Sequence, residues 1–186
     1  MIVVILGKSN SGKTTLFKEA FTDPYKKLVT MTTRPKRPNE IEGQDYYFVG
    51  DESFDYLKSC GKIIAPRVFI NADGDVWQYG IPAHLIELEE KQIIILDPAG
   101  YAGLVKSLED YPKKIVSIFI ECPDFIRIDR AIKRGDDENE IIRRVDSDRK
   151  DFAGIIEATD YVINNYYHDD PDVPVEQLES ILKSLF

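Results

Sequence analysis

The sequence predicts an α/β fold built on a parallel sheet with helices on both faces. Three observations predict it. Strand-like and helix-like segments alternate along most of the chain. A glycine loop joins the first strand directly to a helix, and one β-rich stretch at about 34–80 interrupts the alternation.

Taken in order, residues 2–6 (Ile-Val-Val-Ile-Leu) form a β-branched run that suits a buried parallel strand. Residues 14–20 read as helix, stopping near Pro24. Residues 27–33 read as a second strand, and the proline-containing stretch 34–42 as loop. Short strands follow at 44–49, 62–70 and 76–80, with a helix at 53–59 and tight-turn chemistry at Asp73-Gly74. The alternation resumes with a helix at 82–91, a strand at 92–97, a helix at 101–108 and a strand at 114–121. Pro123 opens a helix, since proline is tolerated in a first turn. The run 127–150 carries eight of the 24 basic residues among seven acids. Residues 161–164 read as a last short strand and 175–186 as an amphipathic helix.

Composition bounds the function. The 186 residues, 43% hydrophobic, suffice for one packed core with small inserted lobes. A net charge of −9 argues against a nucleic-acid binder working through bulk positive charge, but leaves room for a local basic pocket. The aliphatic run 2–6 is far short of the ~20 residues that span a bilayer. No basic segment precedes it as in a secretory signal, so the expectation is a cytoplasmic protein without membrane or nucleic-acid partners. Cys60 and Cys122 lack metal-ligand spacing and read as reduced thiols.

Gly7-Lys8-Ser9-Asn10-Ser11-Gly12-Lys13-Thr14 matches G-x-x-x-x-G-K-[ST] in full, with Thr15 next in the helix. Glycines let the backbone curl so that successive N–H groups point at one anion, and the following helix adds its positive end. Lys13 supplies a mobile charge to the β and γ phosphates, and the Thr14 hydroxyl reaches Mg²⁺. A purine nucleoside triphosphate with Mg²⁺ is the expected ligand. A guanine-reading N-K-x-D is not found, and the short chain with its β-rich lobe favours a kinase over a GTPase or motor. Asp97, ending the buried run Ile93-Ile94-Ile95-Leu96, is placed near the metal or its water.

A second cluster lies in the β-rich stretch. Arg34 and Arg37, each followed by a proline that limits backbone freedom, present planar forks to one phosphate. Tyr46 and Tyr79 add hydroxyl donors to the same anion.

Here the sequence resembles the guanylate kinase family. The family signature T-T-R-x-x-R-x-G-E-x-x-G-x-D-Y-x-F is matched by Thr32, Thr33, Arg34, Arg37, Glu40, Gly43, Asp45, Tyr46 and Phe48. Pro38-Asn39 stands where the family has a residue followed by glycine. The order of features agrees along nearly the whole chain: phosphate loop, this motif, Tyr79-Gly80, a strand ending in Asp97, an arginine-rich lid and a late Asn164. The resemblance implies a P-loop NTPase fold with a core at about 1–33 and 81–186. It implies a nucleoside-monophosphate-binding lobe at 34–80 and a helical lid at 130–145. It assigns Arg34, Arg37, Tyr46 and Tyr79 to the acceptor phosphate, Asn164 to the ATP site, and Arg130, Arg134 and Arg144 to the lid. Mobile arginines there stabilise charge spread over the transferring phosphoryl group. Arg127, Arg143 and Arg149 are expected only to pair with neighbouring acids such as Asp129, Glu140, Asp146 and Asp148.

The departures fall on the base-reading positions. Ala65 and Pro66 stand where the family carries a guanine-reading glutamate and a tryptophan, Ile81 replaces a small hydroxyl residue, and Ala99 replaces a second acid after Asp97. Thr30 keeps a polar side chain near a base-reading serine, and Gln78, beside Tyr79, is a better candidate for a new base contact than Arg67. The resemblance therefore implies an ATP-dependent kinase for GMP, dGMP or a related nucleoside monophosphate, a monomer or homodimer. Two alternatives stay open. One is a kinase for another phosphorylated acceptor, such as a modified or pyrimidine deoxynucleotide or a ribose bisphosphate. The other is a binding module of the same fold without activity.

Overall fold

A computed structural model describes residues 1–20, 25–70, 74–111, 114–166 and 172–185. The expected helix stop at Pro24, Asp73 of the expected turn and the end of the last helix at Phe186 lie outside the described residues. The chain divides into two compact units, Met1–Ile2 with Lys26–Ile115, and Val3–Tyr25 with Val116–Phe186.

In chain order the elements are β1 (Ile2–Leu6), α1 (Lys13–Ala20), β2 (Lys26–Lys27), β3 (Met31–Thr32), β4 (Tyr47–Phe48) and α2 (Asp51–Ser59). Then come β5 (Ile63–Ile70), β6 (Val76–Pro82), β7 (Gln92–Ile95), α3 (Pro98–Ser107) and β8 (Ile115–Glu121). The chain closes with α4 (Asp124–Arg134), α5 (Glu138–Asp151), β9 (Tyr161–Asn164) and α6 (Val173–Ser184).

In the unit formed by 3–25 and 116–186, strands β1, β8 and β9 are neighbours in that order. β8 and β9 run parallel, from Ile118 opposite Tyr161 to Glu121 opposite Asn164. Val3–Leu6 and Ile118–Ile120 are fully buried or nearly so, which explains a strand with no polar face. Leu16 and Phe17 of α1 and Leu178 and Leu182 of α6 are buried with them. Asp160 sets the entry to β9, its carboxylate accepting from the Ser117 N–H and hydroxyl at 2.8 and 2.7 Å.

The unit formed by 1–2 and 26–115 holds a parallel pair, β2 with β7, and a four-stranded sheet in the order β4-β3-β6-β5. β5 and β6 form an antiparallel hairpin with a bulge between Ile64 and Arg67. Met31, Phe54 and Ile63 are its small core, with Tyr47, Val49 and Leu57 against it.

Two expected elements differ. The strand expected at 27–33 is two strands in two sheets, β2 and β3, because Leu28 N–H continues toward Ile93 while Met31–Thr32 turns to pair with β6. The helix expected at 82–91 is a single 3₁₀ turn, Ala83–Leu85. The buried Gln92 side chain takes the backbone there, donating to the Leu85 carbonyl at 2.6 Å and accepting from Glu87 N–H at 2.8 Å. An amide that satisfies two loop groups removes the reason for helix.

Candidate active site

The phosphate loop follows β1 and runs into α1, as its spacing requires. Gly12 has a φ of +91°, and a Cβ there would sit 2.2 Å from Asn165 Nδ2, so only glycine fits. Lys13 Nζ donates to the carbonyls of Gly7 and Lys8 at 2.6 and 2.8 Å, holding its ammonium over the loop. Thr14 and Thr15 are exposed on the first turn of α1. Ser11 is buried, and its hydroxyl has no hydrogen-bond partner among the described residues.

The loop is clamped from the helices that follow β8. Arg127, 1% exposed, donates through Nη1 to the Ser9 carbonyl at 2.8 Å and to Asp148 Oδ2 at 2.6 Å, and through Nη2 to Asp124 Oδ1 at 2.7 Å. Asp148 in turn accepts from Ser9 N–H at 2.9 Å and Ser9 Oγ at 3.2 Å. The expected surface role of Arg127 is therefore corrected: it is a buried strut between α4, α5 and the loop. Its spacing in an amphipathic, charged run gave no sign of this, because the surface pattern and a buried arginine look alike in sequence.

Asn165 also touches the loop, donating from Nδ2 to the Ser11 carbonyl at 2.8 Å. The residue expected here, Asn164, ends β9 with its side chain exposed. Alternation along a strand puts neighbours on opposite sides, so an error of one position changes the assignment.

The three lid arginines lie around the same loop or on α4 and α5. Arg130 donates to the Asn165 carbonyl at 3.0 Å and reaches Asn10 O at 3.4 Å. Arg134 makes a fork with Asp136, which raises its pKa through that hydrogen bond. Gly135, at φ +84°, ends α4 in the left-handed conformation and lets Asp136 turn back. Arg144 donates to Glu140 Oε1 at 2.7 Å, and Arg143 holds Glu140 through two bonds at 2.7 and 2.9 Å. The Arg143 hydrogen bonds, with those of Arg144, hold the Glu140 carboxyl down at about 2. As expected, Arg143 pairs with Glu140, and Arg149 pairs with Asp124 and Asp146.

The acceptor cluster assembles within the other unit. Arg34, 5% exposed, donates from Nη2 to Glu40 Oε1 at 2.6 Å and from Nη1 to the Pro35 carbonyl at 2.7 Å. Burial opposes its charge, but the Glu40 bond outweighs this and the pKa is raised. Glu40 Oε2 also accepts from Arg37 N–H at 2.8 Å, closing the 34–40 turn. The Arg37 side chain is exposed and makes no hydrogen bond or ion pair among the described residues. Arg34 Cζ lies 5.3 Å from the Tyr46 ring centre, and Tyr46 meets Tyr79 edge to face at 6.0 Å. Burial raises the Tyr46 pKa, keeping its hydroxyl a donor. Thr30 is nearly buried, and its carbonyl accepts from Tyr47 N–H.

Gln78 is not on the Tyr79 side of β6. Its amide donates to Asp55 on α2 at 3.0 Å, and alternation sends it to the opposite face. The residue paired in register with Tyr79 is Arg67, whose Cζ is 5.2 Å from the Tyr79 ring centre. Asp97 caps α3, accepting from Gly100 N–H at 2.7 Å, and its other oxygen is 2.7 Å from Arg67 Nε. Both oxygens are thus engaged by protein groups, and the side chain is still 45% exposed. Among the described residues no group of three acids, histidines or cysteines is arranged for a metal ion. No helix among them is long and apolar enough to cross a membrane.

Comparison with known proteins adds one consistent finding. The sequence model of the family described as guanylate kinase matches residues 1–185. The guanylate kinase of Wolbachia pipientis wMel is 34% identical over 188 residues, spanning 98% of this chain and 89% of that protein. The guanylate kinase of Streptococcus pyogenes serotype M3 (strain ATCC BAA-595 / MGAS315) is 28% identical across 99% of this chain and 85% of its own length. The crystal structure of guanylate kinase from Anaplasma phagocytophilum superposes with a TM-score of 0.65 at 26% identity, covering 99% of this chain and 85% of that one.

Proposed function

Since the chain belongs to the guanylate kinase family, we propose that it transfers the γ-phosphoryl group of ATP to the phosphate of GMP or dGMP. The observation that supports this reading is that two clusters suited to phosphate are present. One is the glycine loop with Lys13, the other the Arg34–Glu40–Tyr46 cluster with exposed Arg37.

The loop amides and the α1 N-terminus bind the triphosphate, and Lys13 leaves the Gly7 and Lys8 carbonyls for the β and γ oxygens. Arg34 is preset by Glu40 and Arg37 is unengaged, so the first orients the acceptor phosphate and the second closes on it. Arg130, Arg134 and Arg144 donate to the charge that spreads over the moving group. The acceptor phosphate is already an anion, so no general base is required. The exposed Thr14 hydroxyl is a hard oxygen donor that fits Mg²⁺ held mainly by the phosphates of ATP. When bound, Mg²⁺ neutralises phosphate charge and aligns the donor. The acceptor lobe at 34–80 and the lid at 130–145 are the segments that exclude water from the reaction.

ADP release from ATP across GMP, dGMP, AMP, dTMP, dUMP and dCMP tests the reading. Formation with GMP or dGMP well above the rate with guanosine supports it. Equal ADP release with and without any monophosphate overturns it.

A further inference from the structure

We infer that Arg67 reads the acceptor base, and that it does so by donating hydrogen bonds to a 6-oxopurine edge. The inference rests on the kinase reading above for the identity of the site. Arg67 lies on β5 directly opposite Tyr79, on the face that carries the Tyr46–Tyr79 pair. Arg34 lies against the Tyr46 ring, and Arg67 lies 5.2 Å from the centre of the Tyr79 ring.

The head of Arg67 is held but not satisfied. Asp97 Oδ2 is 2.7 Å from Nε, close enough for an ion pair, yet Nε and Nη1 are buried without a hydrogen-bond partner among the described residues. The Arg67 side chain is 19% exposed, so part of the head keeps access to a ligand. Buried guanidinium donors left unbonded are unfavourable, so the head gains from any shift that brings them to a ligand oxygen. Gly100 makes the position possible, since a Cβ there would lie 2.5 Å from Nη1.

Position 65 supplies no carboxylate to the base. Ala65 is buried at φ +49° in the bulge, and a Cβ on Gly103 of α3 would come within 2.8 Å of the Ala65 Cβ. Gly103 is thus needed for α3 to pass the Ala65 methyl group. Ile81 is fully buried. The Asp97 carboxylate beside Arg67 is already engaged by Gly100 N–H and the guanidinium, so Arg67 is the donor the arrangement offers a base. A guanidinium has no acceptor atom, so it pairs with O6 and N7 of a 6-oxopurine and opposes the 6-amino group of adenine. Nothing in this arrangement reads the 2-amino group.

Equilibrium binding of GMP, IMP and AMP to the full chain, with ADP formation measured on the same samples, tests this. Wild type should bind GMP and IMP within a factor of about three, less than the roughly tenfold worth of one hydrogen bond. AMP should bind at least about tenfold more weakly. Arg67→Met and Arg67→Lys should both reduce the GMP preference over AMP to about threefold or less, and Gly100→Ala, which displaces the head, should do the same. Thermal unfolding identifies any variant that fails to fold, and the remaining ones decide the matter. Equal weakening of all three nucleotides would make Arg67 a phosphate ligand and overturn the inference. A GMP preference over IMP of tenfold or more in wild type would also overturn it. Because binding is read apart from turnover, absence of ADP formation would count against the kinase reading alone.

Discussion

Replacing Asp148 with alanine should destabilise the protein by about 3 kcal/mol. Its carboxylate is the shared acceptor of the Arg127 guanidinium at 2.6 Å and of the Ser9 N–H and hydroxyl at 2.9 and 3.2 Å. Removing one partner of a buried ion pair costs roughly 3–5 kcal/mol, because the other charge stays buried. The lower end applies here, since Asp124 still holds Arg127 Nη2 at 2.7 Å. For a chain of this size that loss lowers Tm by roughly 6–12 °C. Thermal and urea unfolding followed by circular dichroism measure it. The double variant Arg127→Met with Asp148→Leu removes both charges and should recover most of the loss. It should still raise KM for ATP, since Ser9 is released from its clamp. A cost below about 1 kcal/mol for Asp148→Ala, the value of an exposed pair, would refute the reasoning. So would a double variant less stable than the single one.

Lys13→Ala should lower kcat by roughly 10²–10³, the cost of removing one donor to developing charge, with unfolding unchanged. Arg37→Ala should raise KM for every accepted monophosphate by a similar factor regardless of base, read from steady-state kinetics on three acceptors. Glu140 has a folded pKa of about 2, below its ordinary 4.5. Its contribution is therefore present above pH 4.5 and lost as pH falls toward 2. Urea midpoints of wild type and Glu140→Gln should differ at pH 6 and converge near pH 2, roughly the folded pKa; a constant gap would contradict this.

The parts of the site that were legible in sequence depend on local chain chemistry. The glycine loop, Lys13 and the Arg34–Arg37 turn are each set within a few residues, and Glu40 closes that turn from only six residues away. The parts that were not legible depend on distant packing. Arg127 meets Ser9 across 118 positions and Asn165 meets Ser11 across 154. The pairing of Arg67 with Tyr79 required the hairpin register, which a bulge at Ala65 shifts. Alternation along β6 turns Gln78, adjacent in sequence, toward α2 instead. The helix expected at 82–91 failed because a buried Gln92 side chain competes for the backbone, a contact that periodicity does not reveal.

Phosphoryl transfer between the two sites is tested most directly by following the label from ATP labelled in its γ-phosphate, with GMP and Mg²⁺ present. The label should appear in the β-phosphate of GDP, with little released as inorganic phosphate, and Lys13→Ala should slow its appearance by the same roughly 10²–10³. Label found only in inorganic phosphate, or left in ATP while GMP is unchanged, would contradict a nucleoside monophosphate kinase.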